Sequence, residues 1–262
     1  MIAVVAIAVA GATGAFFSDT ETSTGNTFTA GAIDLTVDST QHYNGNECVG
    51  GVWVGGAPYP IGSCDGTWTA TDLGAGQKFF NFGDVKPGDS GENTISLHVN
   101  NNDAWVRLVI KDVTNDEMTC TEPETKAETN PTCVPGTVGQ GNGELRQNLL
   151  FSMWLDEGVH PGFDCPDGEP KCSADLYEGD NVKQTGEPEL ISTGTIDPDG
   201  TAETGISEIW TLSTPLLGGQ TAYFGVDWSL PYTVGNETQT DSMSATMEFQ
   251  VEQSRNNPTA FD

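Results

Sequence analysis

Basic residues are scarce in this chain: Lys and Arg number 9 against 38 Asp and Glu, a formal net charge of −29. A chain so balanced repels phosphate backbones instead of releasing their counterions, which excludes nucleic acid as a partner. An anionic membrane surface is excluded on the same ground. Histidine is scarcer still, with only His42, His98 and His160 present. None has another within ligand spacing, and the helical His-Glu-x-x-His carrier of a zinc-bound water is absent. No window combines helical periodicity with caps. The apolar run at 1–12 is too short to span a bilayer as a helix, which takes about 20 residues, and it carries no Lys or Arg. Short Cys-x-x-Cys spacing of the zinc-binding kind is missing as well.

Turn formers, by contrast, are plentiful, with Gly 32 and Pro 14. Between them lie runs of strict alternation. Met243, Ala245, Met247, Phe249 and Val251 alternate with Ser244, Thr246, Glu248 and Gln250, and Ala222, Phe224, Val226, Trp228 and Leu230 repeat the pattern upstream. Ile95, Leu97 and Val99 form another such strand; after the Asn100–Asp103 turn, 104–113 is expected to return as its hairpin partner. Residues 149–155 and 206–212 add two more, and Ile33, Leu35 and Val37 begin the first strand of the domain. The fold class is all-β: a jelly-roll-like antiparallel β-sandwich of about seven to nine strands.

Three long insertions, 39–78, 114–148 and 156–205, interrupt this scaffold, and each carries one pair of cysteines. In an exported chain an even count reads as disulfides, and sequential pairing is the simplest connectivity: Cys48–Cys64, Cys120–Cys133 and Cys165–Cys172. Each staple is worth about 2–3 kcal/mol if unstrained. Asp164, Asp167, Asp197 and Asp199 stand in turn contexts where oxygens could converge on calcium, although neither stretch has EF-hand spacing. No other cofactor is expected. Asn236-Glu237-Thr238 is an N-glycosylation sequon before the last strand. Gly88-Asp89-Ser90-Gly91 spells the surroundings of a serine-protease nucleophile, but Lys86-Pro87-Gly88-Asp89 is better read as a turn with Gly in the left-handed position.

The most telling stretch is 15–37, AFFSDTETSTGNTFTAGAIDLTV, which follows the apolar run directly. It reads as the end of an export signal at 1–14, an extended arm at 15–31, and then the β domain at 32–262, with Ala12, Gly14 and Ala15 offering a cleavage site. This stretch resembles the secreted TasA/camelysin family, whose members leave the cell through a SipW-type signal peptidase. The resemblance returns at 79–113, as a strand, a Lys-Pro-Gly-Asp turn, a strand, an Asn-rich turn and a further strand, and again at 223–257, where it looks closest to archaeal members.

The family implies a secreted, non-enzymatic subunit of an extracellular or biofilm-matrix fibre whose main partner is another copy of itself. Its fibre-forming members imply donor-strand assembly, with the arm completing a neighbour's sheet and Phe16, Phe17 and Phe28 setting register. Other cell-surface or matrix proteins are candidate partners, and no stable membrane span is expected after processing. The rival expectation is a monomeric surface-binding module that uses the stapled loops. The metallopeptidase label attached to camelysin finds no support in the residues.

Overall fold

The computed structural model of the protein describes residues 18–23, 33–121, 123–124, 139–140, 143–159, 163, 177–196, 206–255 and 257–261. Within them run β1 (Ser18–Ser23), β2 (Leu35–Tyr43), β3 (Asn46–Val49), β4 (Val52–Val54), β5 (Trp68–Thr71), β6 (Ser90–Val99) and β7 (Ala104–Glu117). They are followed by β8 (Gly139–Gln140), β9 (Leu150–Leu155), β10 (Glu189–Thr195), β11 (Ile206–Thr211), β12 (Thr221–Ser229) and β13 (Asp241–Gln253). The one helix named among the described residues, α1 (Leu145–Asn148), is a single turn.

The strands form two antiparallel sheets. One runs β1-β13-β7-β11, with β8 also on β7; the other runs β10-β9-β12-β6-β2-β3-β4, with β5 also on β2. Their inner faces make one core. Val106, Leu108, Phe249 and Val251 of the smaller sheet meet Leu35, Val37, Ile95, Leu97, Phe224 and Val226 of the larger. Alternation places these residues inward, since successive side chains on a strand point to opposite faces. Aromatic rings tie the layers together: Phe224 and Phe249 lie 5.5 Å apart, and Trp210 meets Phe224 at 6.0 Å.

Two local expectations fail. Residues 95–99 and 104–113 do not form a hairpin: β6 pairs with β12 and β2, whereas β7 pairs with β13 and β11. The Asn100–Asp103 segment instead carries the chain from one sheet to the other. It is anchored by the Asn100 N–H on the Asp34 carbonyl (3.0 Å) and by the Ala104 N–H on the Leu216 carbonyl (2.8 Å). Alternation tells which side chains face the core, and two strands on opposite sheets satisfy that as well as two neighbours do.

The first strand of the 79–113 pattern is also absent. Phe79 is instead a plug, 1% exposed, whose carbonyl accepts the Gln41 and Asn93 side-chain amides at 2.7 and 2.8 Å. These amides satisfy a buried main-chain group that no ladder reaches.

The insertions are not bare loops. The first holds the end of β2 and all of β3, β4 and β5, and the third holds β10. Cys48 and Cys64 are bonded to one another, closing the β3–β4 excursion. Cys120 is disulfide-bonded too; Cys133, Cys165 and Cys172, and so the second and third pairings, lie outside the described residues. What holds 177–188 in place is a pair of buried carboxylates. Asp156 accepts the N–H groups of Gly179 and Asn181 at 3.1 and 2.7 Å, and Glu187 accepts those of Gly158 and Gln184 at 2.8 and 2.7 Å.

Candidate functional site

The arm shows its placement only through β1. Over Ser18–Ser23 it lies antiparallel on β13 of its own chain, from Ser18 opposite Glu252 to Ser23 opposite Met247. This differs from an arm that leaves its domain. An edge strand carries a row of unpaired N–H and C=O groups, and here the chain's own arm satisfies them. The segment reads SDTETS, without one apolar residue. Its pairing with β13 is a main-chain ladder that any similar segment could make. Phe16, Phe17 and Phe28, expected as register anchors, lie outside the described residues.

At the other end of β13 stands a group of acids. Glu117 at the end of β7, Glu124, Glu144 before α1, and Asp241 at the start of β13 each bring one carboxylate oxygen within 4.8 Å of the others. Glu117 is 2% exposed and Glu124 0%. Backbone donors hold them from behind. The Thr119 N–H donates to Glu117 Oε1 and the Thr121 N–H to Glu124 Oε2, both at 3.0 Å. Asp241 Oδ2 receives the N–H groups of Glu144 and Leu145 at 2.5 and 2.9 Å. The second oxygens of Glu117 and Asp241, Oε2 and Oδ1, are buried without a hydrogen-bond partner among the described residues. Burial raises the pKa of Glu117, the Glu124 charge raises it further, and the Thr119 N–H opposes both. Burial likewise pushes Asp241 up to about 7, with the charges of Glu144 and Glu117 adding to it.

Asp164, Asp167, Asp197 and Asp199, the carboxylates singled out in the sequence for calcium, lie outside the described residues. The observed cluster draws on four separate segments, and no local motif announces it. Asn236 is exposed and opens a short 3-10 turn, Asn236–Thr238.

The protease-like motif is a turn. Gly88 has φ +96° and lies so close to Tyr232 that a Cβ there would fall 2.1 Å from the ring. Asp89 caps the turn, its Oδ2 accepting the Tyr43 hydroxyl and the Lys86 N–H, both at 2.7 Å. Ser90 and His42 do line one open cleft of about 400 Å³. His42 Nδ1, however, faces Glu92 at 3.5 Å, and among the described residues no hydrogen bond joins it to Ser90.

His98 is half-buried on the outer face of β6. Its Nε2 lies 2.7 Å from Asp38 Oδ2 and its Nδ1 2.8 Å from Thr221 Oγ1, joining three adjacent strands on the outer face.

Residues 1–51 match the family described as camelysin metallo-endopeptidase. The match takes in the 15–37 stretch on which the resemblance to TasA/camelysin rests, and ends before the stretches at 79–113 and 223–257. No curated protein and no solved structure matches the chain.

A peptidase metal does not fit the described residues. Catalytic zinc takes histidine, with carboxylate or thiolate completing the set. The one acidic cluster found among the described residues contains no histidine, and His42 and His98 face separate carboxylates. No described helix is long and apolar enough to cross a membrane.

Proposed function

We propose that this protein is a secreted structural subunit of an extracellular or biofilm-matrix fibre, assembled by exchange of its N-terminal arm. The observation that carries this reading is β1: a strand of wholly polar sequence, SDTETS, that lies antiparallel on β13. The β13 edge that takes the arm in cis presents the same groups to the arm of a second copy. A cis strand and a trans strand make the same ladder, so the exchange costs little in enthalpy, and the contact is heterologous, which propagates a filament instead of closing a dimer. Family likeness at 1–51 supports export and a surface location, because camelysin-type and TasA-type proteins are extracellular or cell-surface. The apolar run at 1–12 would then be removed. Negative-stain microscopy of the secreted, processed protein tests this: filaments are expected, and monodisperse particles at every protein and salt concentration would refute it.

A second reading has one observation in its favour. The stapled β3–β4 excursion exposes Val49, Val52, Val54, Tyr59 and Ile61, the last 78% exposed. Such a rim suits a surface-binding module whose partner is another matrix protein. On this reading the filament assay fails, and substitutions at Val52 and Ile61 abolish attachment to the matrix.

A further inference from the structure

We propose that Glu117, Glu124, Glu144 and Asp241 form a binding site for one calcium-class divalent cation, separate from the turn aspartates and from the arm groove. Three observations lead there. First, the four ligand oxygens lie within 4.8 Å of one another. Opposite ligands of a calcium ion bonded at about 2.4 Å stand about 4.8 Å apart, so the spread of the four oxygens matches that of ligands around a single ion. Second, Glu117 is 2% exposed, yet among the described residues its Oε2 finds no hydrogen-bond donor, and neither does Asp241 Oδ1. A buried carboxylate oxygen without a partner carries a full desolvation penalty unless something positive meets it. Third, the donors are all carboxylate oxygens, which select hard cations over zinc or copper.

The surrounding fold presents the acids instead of dispersing them. Main-chain N–H groups of Thr119, Thr121, Glu144 and Leu145 take the outer oxygens, leaving the Glu117 and Asp241 inner oxygens for a ligand. The buried Arg146 of α1 offers at most one positive charge against four negative ones. Glu117 and Asp241 are also cross-strand partners in the β7–β13 ladder. A cation here would therefore clamp the start of β13 to the end of β7, and with them the segments on either side of the second insertion.

The test uses the full processed chain, stripped with chelator and titrated calorimetrically with calcium chloride in about 0.5 M sodium chloride, where the Debye length is only a few Å and diffuse surface binding is suppressed. One saturable site is expected. Glu117→Gln and Asp241→Asn should each weaken it about 100-fold or more, because calcium affinity follows ligand charge. Glu47→Gln, an exposed acid on β3, should leave it unchanged. Thermal melting adds an arm that a misfolded variant cannot mimic. In chelator, Glu117→Gln should melt above the parent, since a buried repulsive charge is gone; in calcium the order should reverse. No saturable site in the parent, equal affinity in parent and Glu117→Gln, or the same calcium shift in both melts would overturn the assignment and leave four carboxyls that share protons.

Discussion

The two edges of β13 are built on opposite terms. Against β7 it makes a ladder of twelve paired positions, from Asp241 opposite Glu117 to Gln253 opposite Ala104, with Phe249 and Val251 driven into the core. That side also buries Glu248, 3% exposed, in an ion pair with Lys111. Against β1 it makes a ladder of six positions with a strand that has no apolar residue. One edge is held by burial and cannot leave without opening the sandwich. The other is held by hydrogen bonds worth about 0.5–1.5 kcal/mol each, which water or another strand can replace. Core burial thus stands on one side of the strand, and a short polar partner on the other.

The sharpest way to break the permanent side is Phe249→Ala. Phe249 is fully buried and packs on the Phe79 plug at 6.0 Å and on Phe224 of the facing sheet at 5.5 Å. The loss expected is about 3–5 kcal/mol, read from the urea midpoint. A loss under 1 kcal/mol would mean that the core does not run through β13.

Removing the Cys48–Cys64 bond comes next. The bond spans 16 residues, so the loss expected on the Cys48→Ser/Cys64→Ser double change is about 3 kcal/mol if the excursion unfolds with the sandwich. A midpoint that does not move would show that β3 and β4 fray independently.

The pH dependence follows from Asp156. Burial pushes its carboxyl up to about 6, with the Glu187 charge adding to it and the N–H groups of Asn181 and Gly179 opposing. The unfolded chain keeps the ordinary value of 3.8. Between the two values the unfolded state loses its proton first, so stability falls as pH rises from about 4 to about 6 and is level above. The drop expected is about 2–3 kcal/mol. Glu187, also raised chiefly by burial, adds in the same direction. Denaturant curves at pH 3.5, 5 and 7 check this, and stability that climbs across the window would contradict it.

The smallest effect belongs to the exchangeable side. Thr20→Pro should cost about 1 kcal/mol or less of fold stability, read from the urea midpoint, because it disturbs only the six-position pairing of an edge strand. Fibre formation, in contrast, should be lost.

Much of the fold was legible in the sequence. The runs at 95–99 and 243–251 alternate without a break and lie within β6 and β13, and the run at 222–230 fills β12 and passes its end by one residue. Pairing was not legible: alternation fixes a face and not a neighbour, which is how 104–113 came to be expected beside 95–99. β10 escaped because ELISTGT carries little apolar signal, and β3 and β4, NECV and VWV, because such short runs show no alternation. The carboxylate cluster escaped for a different reason. Among 38 acids, Glu117 and Glu124 look like any other surface residue, and only long-range contacts bury them. The Gly88 turn was readable because Pro87 and Gly88 specify it locally.

The exchange account stands or falls on the bared edge of β13. The chain lacking residues 15–28 should remain folded and monomeric, with the alternate amides of Met247–Glu252 that point away from β7 open to hydrogen exchange. A peptide of sequence 16–28 added in trans should protect those amides and no others to a comparable degree. Amides already protected without the peptide, or fibres of normal length from the truncated chain, would contradict the account.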